Sequence, residues 1–170
     1  RGGFFSEVGT QLLGRLLTCF EKSDEISQHL AVDQNWTKTD FKAAVAFART
    51  MEDGPNCLNI DLEELKIFLV QKRGFLLRLL ENPNLLEHGR FTGLLWATFL
   101  LTEELVVRPS MENLPNADSN QLSMDIQRVY RSLTAEWVSY AEHLKSDYPF
   151  LFPLVTRINP FKEHPSTMVA

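Results

Sequence analysis

Leu122, Ile126, Val129, Leu133, Trp137, Tyr140 and Leu144 step along the chain by four, three, four, four, three and four. An α-helix makes one revolution in about 3.6 residues, so this spacing lays seven large side chains along one side. A strand, whose side chains alternate, cannot do the same. The chain from about residue 118 to about residue 148 is therefore a long amphipathic helix, with Asp118 and Gln121 at cap spacing. Such a stripe demands an apolar partner surface. No segment alternates with period two between hairpin turns, so that surface is not a sheet.

Further helices supply it. Phe5, Val8, Leu12, Leu13, Leu16, Leu17 and Phe20 keep helical phase and predict a helix from about residue 4 to about residue 21. A short helical piece over about 25–32 is interrupted by Asp33, Gln34 and Asn35. Thr37 or Thr39 can cap the next helix, with Asp40 in its first turn, a stripe of Phe41, Ala44, Val45, Ala48 and Met51, and an end at Gly54-Pro55. Asp61 and Glu64 have capping-box spacing ahead of Leu65, Phe68, Leu69, Leu76, Leu79 and Leu80, and Asn82-Pro83-Asn84 is the turn that follows. Asn84 and Glu87 open a fourth long helix reaching to about Arg108, bent or broken at Gly89. It is apolar on nearly every side and is expected at the centre. Pro109, Pro115, Asn116 and Asp118 mark a flexible connection. From Tyr148 three prolines forbid a long helix, although one turn between Pro153 and Ile158 is allowed, and so apolar a tail must pack on something.

The expected fold is all-α: an antiparallel bundle of about five helices with an aromatic, proline-rich C-terminal tail packed on it. One domain covers residues 1–170, with the bundle over about 4–148 and the tail over 149–170. Hydrophobic residues make up 44% and charged residues 23%, as in globular proteins that bury a core. The net charge of -5 leaves no basic footprint for nucleic acid or a membrane surface, and Lys72, Arg73 and Arg78 read as a solvated helix face. Cys19 and Cys57 lack the CxxC spacing of a zinc knuckle and point to a reducing cytoplasm. The apolar run Leu94 to Leu101 is far shorter than the about 20 residues that span a bilayer. The chain opens on Arg1-Gly2-Gly3, as a piece of a longer protein would.

Motifs for catalysis are missing. Gly9 and Gly14 have phosphate-loop spacing but lack the lysine, the hydroxyl residue and the preceding strand, so helix is the better reading. There is no GxSxG, HExxH or Glu-x-x-His, and neither a metal nor a cofactor is expected. Gly89 and Gly93 suggest a close helix crossing. One polar group bears watching: Glu136, Tyr140 and His143 share a side of the last long helix, bordering its stripe. If Glu103 faces them, they frame a ligand pocket lined by Trp96 and Trp137, with a histidine able to titrate near neutral pH. The competing expectation is a buried network that fixes helix register, or surface charge.

Two stretches resemble a known family: Leu79-Leu-Glu-Asn-Pro-Asn-Leu-Leu-Glu-His88 running on through Phe91 to Leu105, and Glu136-Trp137 through His143-Leu-Lys-Ser-Asp-Tyr-Pro-Phe-Leu-Phe to Asn159-Pro-Phe161. They are similar to an uncharacterised helical domain of bacteria and archaea, found alone and in some proteins beside a two-helix potassium-channel pore. The likeness covers roughly residues 60–161, while Gly89 and Leu100 depart from a pattern with an acidic and a more polar residue there. It implies the helical fold and a prokaryotic origin, and carries no activity.

Two functions follow as expectations. One is a cytosolic regulatory or protein-interaction module, the soluble domain of a channel-like protein or a free one. It would present helix faces and the tail residues Phe150, Phe152 and Phe161 to a partner or to its own copy. The other is a small-ligand sensor or weak metal binder using Trp96, Glu103, Glu136, Tyr140 and His143.

Overall fold

The computed structural model of the 170-residue chain describes residues 1–17, 24–51, 60–84 and 89–161. Helix α1 is continuous from Gly2–Phe4 through a π-helical turn, Phe5–Gly9, into Thr10–Leu17. Then follow α2 (Asp24–Leu30), α3 (Lys38–Thr50), α4 (Leu62–Leu80), α5 (Gly89–Val106), α6 (Asn116–Asp147) and α7 (Phe152–Ile158). Among the described residues there is no strand. Two short helices, α2 and α7, thus join the five long ones expected.

Local chemistry sets the helix starts. At α3 the Thr37 hydroxyl accepts from the Asp40 amide at 3.4 Å, and the Asp40 carboxylate accepts from the Thr37 amide at 2.7 Å. These two bonds satisfy reciprocal orphan donors. They also hold the Asp40 carboxyl below the ordinary carboxylate value, the backbone bond from Thr37 being the larger cause. Asp61 caps α4 by accepting from the Glu64 amide at 3.1 Å. At α6, in contrast, the helix begins earlier than expected, at Asn116 after Pro115, and Asp118 lies inside the first turn. Its carboxylate takes Arg108 Nη2 at 3.0 Å instead of capping. Gly54-Pro55, Glu87 of the Asn84–Glu87 cap pair and both cysteines lie outside the described residues.

The stripe on α6 organises the rest. Leu122, Ile126, Val129, Leu133, Trp137 and Leu144 are buried, and α3, α5, α1 and α7 all pack on this helix. The centre is therefore α6. Helix α5, expected there because of its composition, buries Phe91, Leu94, Leu95, Leu101 and Leu105 but turns Trp96, Leu100 and Val107 just beyond its end to solvent. Its two inward hydroxyls, Thr98 and Thr102, donate to the carbonyls of Leu94 and Thr98 at 2.8 Å, so they enter the core already satisfied. Gly89 and Gly93 are exposed with open space where a Cβ would stand, so the GxxxG spacing makes no helix crossing.

Helix α4 lies antiparallel to α5. Lys66 Nζ donates to the Arg108 carbonyl at 2.6 Å, and Arg73 Nε to Glu103 Oε1 at 2.5 Å. The connection after α5 is pinned rather than free. Arg108 also pairs with Glu104 Oε2 at 2.9 Å, Met111 N donates to Glu63 Oε1 at 2.9 Å, and the Met111 side chain is buried. In the described part of the tail, residues 149–161, Phe152 meets Phe41 at a centroid distance of 6.3 Å and Phe161 meets Trp137 at 5.8 Å, so this part packs on the bundle as expected. No helix among the described residues is long and apolar enough to cross a membrane.

Candidate functional site

The five side chains expected to share a pocket fall in separate places. Helix α5 contributes Trp96 and Glu103. Trp96 is 48% exposed and packs edge-on against Phe99 at 6.2 Å, while Glu103 is engaged by Arg73 of α4. Helix α6 contributes the other three. The Arg108–Asp118 pair brings the end of α5 level with the start of α6, so at 1.5 Å per residue Glu136 stands about 20 Å farther along the bundle than Glu103. Glu103 therefore does not face Glu136, Tyr140 and His143.

Within α6 the three separate again. Glu136 is buried and points to α3, where Arg49 Nη2 donates to its Oε1 at 3.3 Å. Its Oε2 and Arg49 Nε have no hydrogen-bond partner among the described residues. Tyr140 turns to α1 and stacks on Phe5 at 4.8 Å with 13° between the rings. His143 Nδ1 meets Asp147 Oδ2 at 3.0 Å, one helical turn on.

Tyr140 and His143 do share a cavity. It holds about 580 Å³ and is lined by Arg1, Gly2, Leu144, Tyr148 and Leu151 as well. A second cavity of about 200 Å³ adjoins it, with Tyr140, Leu144 and Leu151 in both walls. Its remaining lining comes from α1 (Phe5, Ser6, Thr10), from α6 (Trp137, Ala141) and from Leu154 to Pro160 around α7. Sequence reasoning missed Phe5, Arg1 and Arg49. By spacing Phe5 belongs to the apolar stripe of α1, and nothing in a period of three and four residues marks the π turn that begins at it.

That turn depends on Gly9. A Cβ there would stand 2.7 Å from Phe5 Cδ1 and 2.9 Å from Phe4 Cε1, and both rings are buried. Of the tail residues expected at a partner surface, Phe152 and Phe161 are core residues of this chain, and Phe150 alone is exposed, at 75%. No group of three His, Cys, Asp or Glu side chains among the described residues is arranged to hold a metal ion.

A second feature lies on the α4–α5 hairpin. Ile67 and Val70 of α4, with Trp96, Leu100, Val106 and Val107 of α5 and its end, are all exposed large hydrophobics. In helical phase Ile67, Val70 and Gly74 share the outward side of α4, and Gly93, Trp96, Leu100 and Val107 that of α5. The pairs Lys66–Arg108 and Arg73–Glu103 set these two sides edge to edge. The Arg73–Glu103 pair crosses the middle of the resulting apolar face.

Helices wrapped on one long central helix, with no strand among the described residues, define an all-α bundle domain. The chain belongs to the family described as the C-terminal helical domain of uncharacterized protein MJ1433, whose model matches residues 1–157. It is 39% identical over 160 residues to uncharacterized protein MJ1433 of Methanocaldococcus jannaschii, an alignment covering 94% of this chain and 64% of that relative. The chain thus spans less than two thirds of the relative's length. No solved structure matches.

Proposed function

We propose that this domain is a protein-interaction module that associates with a second copy of itself through the outer face of the α4–α5 hairpin. The observation that carries the reading is the exposed row of Ile67, Val70, Trp96, Leu100 and Val107 on two adjoining helices. Isolated exposed hydrophobics are ordinary, whereas a contiguous patch of them marks an interaction surface.

Size and charge favour a second copy. Helix α4 has 19 residues and is about 28 Å long, and two helices side by side are about 20 Å wide. A face of that extent covers roughly 550 Å² on each copy, and a pair buries roughly 1,100 Å², just past the about 1,000 Å² that specific interfaces clear. The charges on α4 are polarised, with Glu63 and Glu64 at its start and Lys72, Arg73 and Arg78 towards its end. A two-fold axis that lays α4 antiparallel on its copy sets each acidic start on a basic end. We keep with this reading the tether to a two-helix pore implied by the resemblance, because an adhesive face is what an accessory domain of a multi-subunit pore needs.

Sedimentation equilibrium of the 170-residue chain tests it. The expected result is a monomer–dimer equilibrium that Leu100→Glu shifts to monomer while the circular-dichroism spectrum is unchanged. A wild-type chain that stays monomeric up to millimolar concentration overturns it. A full-length gene product without a pore removes the tether and leaves the interface standing.

A further inference from the structure

The charges on α4 divide into those engaged within the chain and those that are not. Glu64 meets Arg15 at 4.0 Å and Lys72 meets Glu7 at 3.7 Å, both on α1, while Lys66 and Arg73 tie α4 to α5. Glu63 and Arg78 are exposed and make no ion pair among the described residues. One Glu63 oxygen accepts from Met111 N, and the other has no partner among the described residues.

These two charges sit at opposite ends of the apolar row. At about 100° per residue, Glu63, Ile67, Val70, Gly74 and Arg78 fall within about 80° of one another on the outward side of α4. Glu63 and Arg78 lie equally far from the point midway between Val70 and Gln71, about 11 Å at 1.5 Å per residue, and Ile67 and Gly74 also lie equally far from it. About that point a negative charge answers a positive one, and a branched apolar side chain answers a notch. Among the described residues, the nearest atom to a Cβ added at Gly74 is Arg78 Nη1 at 3.7 Å, the end of a flexible side chain.

We propose that the self-association read from this face, on which this step rests, has a single antiparallel register of α4 on α4. The two-fold axis passes between Val70 and Gln71, Ile67 of each copy fills the Gly74 notch of the other, and Glu63 of each copy pairs with Arg78 of the other. Other registers match less well. A parallel pair sets Glu63 on Glu63 and Arg78 on Arg78. An antiparallel pair moved by one turn sets Ile67 against Arg78 in one direction and Glu63 against Gly74 in the other.

Sedimentation equilibrium at low ionic strength of Glu63→Lys, of Arg78→Glu and of their equimolar mixture tests the register, with circular dichroism to report the fold. Each variant alone sets like charges together at both ends of the interface and should dimerise at least about tenfold more weakly than wild type. In the mixture both ends regain an opposite pair, so the mixed dimer should form with wild-type strength. Gly74→Leu is a second arm and carries the test if Glu63→Lys, which loses the Met111 bond, does not fold. Seating Ile67 on Gly74 predicts a Gly74→Leu dimer about tenfold weaker, with the monomer still folded, whereas a face that adheres without register would gain from an added leucine. A wild-type dimer whose folded charge variants show no preference for the mixed pair, or one that Gly74→Leu strengthens, overturns the register and leaves the self-association standing. A wild-type chain that stays monomeric overturns both.

Discussion

Arg49 reaches from the last turn of α3 to Glu136 of α6, placing Nη2 at 3.3 Å from a carboxylate that is only 4% exposed. The pair is asymmetric, because Arg49 keeps 31% of its side chain in solvent while Glu136 keeps almost none. Removing the arginine strands a buried charge. Arg49→Met should therefore cost about 3 kcal/mol, the low end of the about 3–5 kcal/mol for breaking a buried pair, since Arg49 itself is only partly buried. The double change Arg49→Met with Glu136→Leu should recover most of that loss. Urea denaturation of the two single variants and the double variant gives the coupling energy; strict additivity would show that the contact does not hold α3 to α6.

Two glycines of α1 should respond to alanine with opposite signs. At Gly14 nothing lies within 4 Å of a new Cβ, so Gly14→Ala should raise stability by about 0.5–1 kcal/mol through lower unfolded-state entropy. At Gly9 the Cβ would meet the buried Phe4 and Phe5 rings, so Gly9→Ala should lower it by about 1–3 kcal/mol. Thermal melts decide this, and a stabilised Gly9→Ala would mean that the π turn relaxes to α-helix at no cost.

The tail offers a contrast within three residues. Phe152 is 4% exposed and packs on Phe41, whereas Phe150 is 75% exposed. Phe152→Ala should cost about 3–5 kcal/mol, and Phe150→Ala should stay within about 0.5 kcal/mol. Similar losses for both would place the tail elsewhere.

The Thr37–Asp40 capping box makes stability depend on acid. Because the folded carboxyl titrates below its ordinary value of 3.8, its contribution is fully present above that pH. It is lost as pH falls through the folded value. Asp40→Asn should flatten that part of the curve relative to wild type, measured as the urea midpoint against pH. An unchanged acid limb would show that the reciprocal bonds add nothing in solution.

Much of the fold was legible because helical periodicity is a local property. The steps along α6 identified six buried residues, and Asp61, Thr37 and Asp40 announced helix starts that the hydrogen bonds confirm. What composition could not convey was depth. Helix α5 is rich in leucine and tryptophan, yet part of that apolar surface faces outward, because α4 and α6 cover only the other sides of the helix. The candidate site was harder still. Glu136, Tyr140 and His143 share one helix side, but the about 40° that separates residues four apart is enough to send Glu136 to α3 and Tyr140 to α1. Asp118 shows the same limit, since its cap spacing was real and a nearer cation claimed it.

The central position of α6, so late in the chain, bears on synthesis. Helix α5 can pack on α4 as it leaves the ribosome, but the surface that shelters the rest of α5 and most of α3 follows only with residues 116–147. Until then the nascent polypeptide is a client for chaperones. A gene truncated anywhere before that segment should yield inclusion bodies rather than a smaller folded protein.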